Sequence, residues 1–379
     1  MIKISEDHQM VRDSVAELVN AEILPKAYEI DQNHRYPQEL IDLLSEQGFM
    51  GVNASSELGG SEMDYLSYAL IIEEISRGCA STGVIVSVNN SLALSPLIHF
   101  ASEEQKKKWI PALARGEKLG CFSLSEPQAG SDAGAIQCTA KKEGDFYVIN
   151  GVKNWVTNGK ESDVVILFAS IDTDLKHKGV CAFYVDKETP GLKVGKLEEK
   201  LGILGSSTTE LVFENCKIPA ENLIANEGDG FKIAMHTLDG GRLGIAAQAV
   251  GIARAAFDRA LKYAKERESF GKVIGKHQAI QFKLADMAMK IEASQALLYN
   301  ASKLKDAGLP YSKESAMAKT FASETATWVS LEAIQIHGGY GYTKEFEVER
   351  HLRDAKITEI YEGTSEVQRI VTAAHLLKD

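Results

Sequence analysis

The residues best suited to chemistry lie near the end of the chain, in Ile357-Thr358-Glu359-Ile360-Tyr361-Glu362-Gly363-Thr364-Ser365. An apolar run stops at Glu362-Gly363 and a helix restarts. Gly363 allows a turn that a residue with a Cβ resists. Thr364 or Ser365 can cap the new helix, and Ser365 with Gln368 has capping-box spacing. The turn sets Glu362 beside Tyr361, between two ordered elements. A carboxylate held by rigid flanks can act as a base; the plain alternative is a surface loop carrying one acidic residue. Asp239 and Arg242 are three apart on one helical face, which at its simplest is an ion pair worth about 0.2–0.5 kcal/mol. Trp155 and Thr157 are two apart, on one face of a strand. Arg267 and Gln278 flank Phe270-Gly271. A guanidinium with an amide can bind pyrophosphate, although Arg267 in Lys265-Glu266-Arg267-Glu268 also reads as a solvated surface charge. Glu126 to Asp132 is a turn: Pro127 fixes φ, Gly130 relaxes it, and Ser131 and Asp132 offer local hydrogen bonds.

Three stretches must position these groups. Residues 1–118 read as an N-terminal helical domain. Asp7 can cap its first helix. Met10, Val11, Val15, Leu18 and Val19 fall at helical spacing. Apolar helices are expected from Tyr65 to Ser76 and from about Thr82, the latter ending before Pro96 or kinking past it. A short helix from Glu103 to Leu113 carries Trp109 on its packed side. Residues 119–227 change to short β-rich runs punctuated by Gly, Asp and Asn. Without crossover-length helices between them, they argue for an antiparallel barrel or sandwich. No GxGxxG follows a strand, so any dinucleotide must be held by another arrangement. Residues 228–379 return to helical period, with long helices over Leu243–Lys265, Gln278–Leu304 and Lys313–His337 and a last one from Ser365 to Leu377. Long helices with short links read as a bundle.

Composition narrows the function classes. The chain has 379 residues and a formal net charge of -11, which speaks against nonspecific nucleic-acid binding but leaves room for an anionic ligand in a local basic pocket. Five widely spread cysteines without a CxxC pair read as reduced thiols and no metal site. No leader and no 18-residue apolar run are expected, hence no membrane insertion. His337 reads as structural.

Taken together, these motifs resemble the acyl-CoA dehydrogenase family, closest to its short-chain, butyryl-CoA type. Ile360-Tyr361-Glu362-Gly363-Thr364-Ser365 resembles its signature around the glutamate that removes the α-proton of an acyl-CoA. Glu126-Pro127 with Ala129-Gly130-Ser131-Asp132, Trp155-Val156-Thr157-Asn158-Gly159, Leu238-Asp239-Gly240-Gly241-Arg242, Arg267 with Phe270-Gly271, and Gln335-Ile336-His337-Gly338-Gly339-Tyr340 follow in the family's order. The resemblance implies a helical domain, a β-domain and a helical bundle around bound FAD. It makes Glu362 the catalytic base, and Ser131, Asp239, Arg242, Tyr361 and Gly363 substrate contacts. It sets Leu124, Ser125, Trp155 and Thr157 at the flavin ring. Thr364 reaches the FAD phosphates, and Arg267, Phe270, Gln278, Gln335, Gly338 and Gly339 belong to the dinucleotide of a neighbouring subunit. The implied reaction, a step of fatty-acid β-oxidation, turns a short-chain acyl-CoA into its trans-2-enoyl-CoA. Electrons pass to electron-transferring flavoprotein, in a homotetramer built as a dimer of dimers. The implied compartment is a bacterial-type cytoplasm, with the mature mitochondrial matrix as alternative. Medium-chain, branched-chain or glutaryl-type substrates, an oxidase, or a non-catalytic CoA-binding relative are the alternatives. Gly241 stands where the isovaleryl and long-chain types carry their glutamate. Gln128 and Leu204 stand where glycine and arginine are common.

Overall fold

The computed structural model describes residues 4–378. Seven α-helices come first: α1 (Glu6–Leu18), α2 (Ala27–Gln32), α3 (Gln38–Glu46), α4 (Tyr65–Gly78), α5 (Ala80–Val88), α6 (Ser95–Phe100) and α7 (Glu103–Ala114). Ser5, not Asp7, caps α1: its hydroxyl accepts the His8 N–H, and Asp7 sits inside the first turn. The chain runs from α5 to α6 through one wide turn (Asn89–Leu94). Pro96 falls in the first turn of α6, where its missing N–H is harmless. Contrary to the sequence expectation, Ala80–Phe100 is long and apolar enough to span a bilayer, with mean hydropathy 1.3 over its best window; 83% of that window lies inside the protein, as in a core helix. In α7, Trp109 is buried and stacks on Tyr184 with ring centroids 4.4 Å apart, a contact worth about 0.5–1.5 kcal/mol beyond its buried area.

Next come β1 (Gly120–Ser123), β2 (Thr139–Glu143), β3 (Phe146–Thr157), β4 (Val164–Ser170), β5 (Val180–Asp186), β6 (Leu192–Leu197), β7 (Thr208–Pro219) and β8 (Leu223–Ile224). They form one sheet in the order β6-β7-β3-β2-β4-β5-β8, with β1 added on β4. The sheet is largely antiparallel, as strands without crossover helices imply. The β1–β4 pair and the single β2–β4 contact are parallel. Irregular register along β3 at Ile149/Gly151 and Lys153/Val156 bends that strand, as bulges do. Cys121, Cys138, Cys181 and Cys216 lie in the sheet's interior, and Cys79 follows α4; all five thiols are free and buried.

The last part holds α8 (Gly230–Glu266), a two-stranded ribbon of β9 (Glu268–Ser269) and β10 (Lys272–Val273), α9 (Gln278–Asp306), α10 (Ser312–His337), α11 (Val348–Thr358) and α12 (Ser365–Leu376). The sequence reading had no helix at α11. At 37 residues α8 is about 55 Å long, and it packs against α4 and α10. Gly251 makes the α4 contact close: a Cβ there would lie 2.3 Å from the Glu73 carbonyl oxygen. Behind that crossing, the fully buried Glu73 accepts from Arg254 Nη1 (2.7 Å), Gln295 Nε2 (2.7 Å) and Tyr299 Oη (2.8 Å). The N-terminal and C-terminal helices thus share one core.

Candidate active site

The turn between α11 and α12 carries Glu362. Glu362 and Gly363 are both left-handed, with φ of +52° and +90°. A residue with a Cβ disfavours that region by about 1–2 kcal/mol, so the neighbours must hold the turn. Gln368 Nε2 donates to the carbonyls of both Glu362 and Gly363, at 3.0 Å each. Lys319 Nζ, from α10, donates to the Gly363 carbonyl at 2.7 Å. Thr364 caps α12 by accepting the Val367 N–H. The Ser365–Gln368 capping box is therefore not made: with Thr364 as N-cap, Gln368 is free to turn back onto the carbonyls.

The carboxylate oxygen faces inward, beside cationic side chains. Glu362 Oε2 is buried and has no hydrogen-bond partner within the described protein. Gly241 of α8 makes room for it, since a Cβ there would lie 2.2 Å from Oε2. Arg242, also buried, gives Nη1 to Asp239, while its Nε meets no acceptor. Asp239 accepts from Ser312 Oγ as well, at 3.1 Å. Burial pushes the Glu362 carboxyl up to about 7, against the opposing pull of Lys319 and then Arg242. Burial pulls the Lys319 ammonium down, and Glu362 is the first of the charges that restore it. Tyr361 gives its hydroxyl to Gln248 Oε1, and Gln248 Nε2 is tied to the Ala80 carbonyl at 3.0 Å. The Glu362 backbone N–H meets no acceptor among the described residues, so it is free to polarise a ligand carbonyl beside the carboxylate.

A second group lies on the sheet. The loop after β1 is pinned by a fully buried ion pair, Lys153 to Glu126 at 2.7 Å. Lys153 also holds the Leu124 carbonyl at 3.0 Å, and the Asn154 N–H holds the Ser125 carbonyl at 2.9 Å. Glu126 accepts the backbone N–H groups of Gln137 and Cys138 and the side chain of Gln128. Leu124 is buried, Ser125 half-buried and Ser131 exposed. At the far end of β3 the register shift turns Trp155 outward, with φ of +61° and 61% exposure, and Thr157 is half-buried nearby. A flat indole face beside a hydroxyl donor is thus presented at the surface.

The remaining predicted residues are not brought to this place. Arg267 follows the last turn of α8, 25 residues from Arg242, or roughly 37 Å along the helix. With Ser269, His337, Gly338, Gly339 and Tyr340 it lines an open cavity of about 500 Å³. Gly338 has φ of +61°, and a Cβ on either glycine would meet nothing within 4 Å: the backbone is bare to an incoming ligand. Phe270 is 93% exposed, and Gln278 and Gln335 are exposed. His337 is buried, stacks on Tyr263, and uses Nδ1 on the Ala333 carbonyl. No metal-ligating cluster occurs among the described residues.

Three family models match in sequence order: Acyl-CoA dehydrogenase, N-terminal domain, over residues 5–117; the middle domain over 121–216; and the C-terminal domain over 228–377. The chain belongs to the acyl-CoA dehydrogenase family. The short-chain specific acyl-CoA dehydrogenase, mitochondrial, of Rattus norvegicus is 52% identical over 377 residues, covering 100% of this chain and 92% of the rat protein. Butyryl-CoA dehydrogenase from Megasphaera elsdenii superposes with a TM-score of 0.98 at 45% identity, over 100% of both chains. A chain from a structural study of the electron transferring flavoprotein of Acidaminococcus fermentans gives 0.98 at 49% identity, again over 100% of both.

Where this acyl-CoA dehydrogenase departs from the family pattern, its own contacts compensate. Gln128 joins the Glu126 anchor. The segment around Leu204 is held without an arginine: the Ile203 N–H donates to Asp354 Oδ1 at 2.6 Å and the Gly205 N–H to Ser81 Oγ at 3.1 Å. The sequence reading missed Lys319 and Gln248, and gave Gln368 a capping role in place of the carbonyl contacts it makes. Lys319 did leave a signal, because it falls on the helical face of Ser315, Ala316, Ala322 and Ser323, where small residues mark close packing.

Proposed function

We propose that this protein oxidises short, straight-chain acyl-CoA thioesters, butyryl-CoA foremost, to trans-2-enoyl-CoA. Glu362 is the base, FAD the oxidant, and an electron-transferring flavoprotein the acceptor. The observation that carries the reading is Glu362 Oε2: a buried carboxylate oxygen with no partner, set against a glycine and flanked by two cations. Such an atom is poised to take a proton. A carboxyl tuned close to neutral pH suits abstraction from carbon better than an ordinary one. The free Glu362 N–H stabilises charge that grows on the thioester oxygen. Asp239, on the same helix as Arg242, faces the pantetheine arm, and Ser131 on its exposed loop meets the outer part of CoA.

The chain fits FAD in two places. The Trp155 face and Thr157 suit an isoalloxazine ring, and the bare Gly338–Gly339 backbone with Arg267 suits a pyrophosphate. When bound, FAD accepts the β-hydrogen as hydride. The pyrophosphate half-site lies at the end of α8 remote from Arg242, roughly 37 Å along the helix, which supports a cofactor shared between copies. Phe282 and Met289 on α9, with Met317, Phe321 and Leu331 on α10, are exposed apolar residues suited to such a contact, and we propose the homotetramer on these grounds. The likeness to the chain from the Acidaminococcus study supports the proposed electron acceptor.

Chain length follows from α8. Gln248 lies seven residues beyond Gly241, on the same helical face. It is fully buried and fixed at both ends by Tyr361 and Ala80. An acyl chain running from Glu362 along this face meets Gln248 within a few carbons. Anaerobic mixing with C4, C8 and C16 acyl-CoA, followed by flavin absorbance, tests both ideas. Rapid bleaching with C4 and weak bleaching with C16 is the expected result; no bleaching of a flavin-loaded protein by any of them would end the reading. In Gln248→Ala the C8/C4 ratio of kcat/KM should rise about tenfold or more, at roughly 0.8 kcal/mol per newly buried methylene. An unchanged ratio would remove Gln248 from the pocket.

A further inference from the structure

Lys319 is a cation in the wrong place for a structural lysine. It is fully buried on α10, among Ser315, Ala316, Ala318, Ala322 and Ser323, and forms no ion pair within 4 Å among the described residues. Its one hydrogen bond runs to the Gly363 carbonyl, at 2.7 Å. A buried ammonium without a salt bridge costs several kcal/mol unless a nearby charge offsets it. The nearby charges can be sorted by element. From α8 come Arg242 and Asp239, which pair with each other; Arg242 still acts on the Glu362 carboxyl, but after Lys319. From α4 comes Tyr68, neutral because burial holds its hydroxyl far above the working range. The turn itself supplies Tyr361, neutral for the same reason, and, farther along, Glu359 and Glu366. Glu359 is engaged with Lys356 and Thr327, and Glu366 is exposed. What remains is Lys319, a positive charge with no ion-pair partner of its own, and Glu362, a negative charge with none.

We propose that Lys319 is the positioning residue of the catalytic base: it clamps the Gly363 carbonyl, which fixes the left-handed Glu362 turn, and supplies the positive charge that keeps the Glu362 carboxylate ionised. The indirect geometry matters. A lysine bonded to the carboxylate itself would compete with the α-proton for its lone pairs and lower its basicity. Bonded one residue away, it stabilises the negative charge and leaves Oε2 bare. Arg242 makes the second contribution, with its Nη1 shared with Asp239.

The proposal rests on Glu362 being the base, and its test separates the two ideas. The kcat/KM for butyryl-CoA is measured against pH in the FAD-loaded parent, Lys319→Gln and Lys319→Arg, with flavin content and thermal unfolding alongside. Glutamine keeps an N–H donor, one bond shorter, but carries no charge; arginine keeps both charge and donor. In the parent the rate should fall on the acid side of about 7, as Glu362 takes a proton. In Lys319→Gln that limb should move up by about one pH unit or more, so the rate below the limb drops about tenfold and recovers in alkali. Lys319→Arg should leave the limb where the parent has it. An unmoved limb in Lys319→Gln, or an equal loss at every pH, overturns the proposal. So does a Lys319→Gln chain that loses flavin or fold where Lys319→Arg does not, since that assigns the lysine to packing. A parent that fails to turn over butyryl-CoA at all would instead overturn the reading of Glu362.

Discussion

Glu362→Gln should retain its fold and flavin, lose about 10²–10⁴-fold in kcat, and resist unfolding better than the parent above pH 7. The loss is that of a positioned base: an amide fills the same space but takes no proton. The gain in stability follows from linkage. The folded-state pKa is raised, from 4.5 to about 7. Below 4.5 the carboxyl is protonated in both states and contributes nothing. Between 4.5 and 7 only the unfolded chain ionises, so stability declines as pH rises. Above 7 the full cost is present, on the order of 3 kcal/mol, and the amide removes it. Denaturant titrations at pH 4 and pH 8 should therefore show the variant nearly level with the parent at the first pH and ahead at the second. Near-normal turnover with an intact flavin spectrum would mean that another residue is the base. Equal stability at pH 8 would mean that the carboxylate is well solvated.

Lys153→Met should be among the most damaging changes outside the Glu362 pocket. It strands the buried Glu126 carboxylate, and losing one partner of a buried pair typically costs about 3–5 kcal/mol. Glu126 also gathers the Gln137 and Cys138 N–H groups, so the whole 124–138 loop loses its anchor. Full-length protein should melt earlier and elute with less flavin. Adding Glu126→Gln should restore part of the loss, since an amide oxygen still accepts from the backbone but carries no charge to strand. A Lys153→Met protein that melts with the parent would show that the pair is not a net support.

The turn at Glu362 was legible because its cues are local: a glycine that permits φ above zero, a capping residue, and apolar flanks. The long helices were legible for the same reason, from apolar spacing alone. What escaped notice is held across distance. Lys319 meets a carbonyl 44 residues away, Lys153 a carboxylate 27 residues away, and Glu73 an arginine 181 residues away. Glu73 sits inside an apolar run, and nothing nearby in the chain announces its partners; Glu74 has Arg77 three residues on, but its contacts to Arg12 and Arg254 are also distant in the chain. Choices between adjacent candidates were not settled by sequence: Ser5 rather than Asp7 caps α1, and of the two candidates Thr364 and Ser365 it is Thr364 that caps α12, without the Ser365–Gln368 box. Each pair offers equivalent chemistry one or two residues apart, and only the path of the backbone decides. Parallel pairing of β1 with β4 was hidden because strand direction depends on how the 124–138 loop is anchored, and that anchor is itself a long-range contact.

The burial of all five thiols gives this protein a built-in stopwatch. Loss of water around them pushes Cys121, Cys138 and Cys181 up to about 11–12, so the native molecule presents almost no thiolate to an alkylating reagent. Any modification then reports an opening event. Cys79 reads the helical part and the other four read the sheet. Peptide-resolved labelling over time would show whether the two parts come apart together or one before the other, with no mutation.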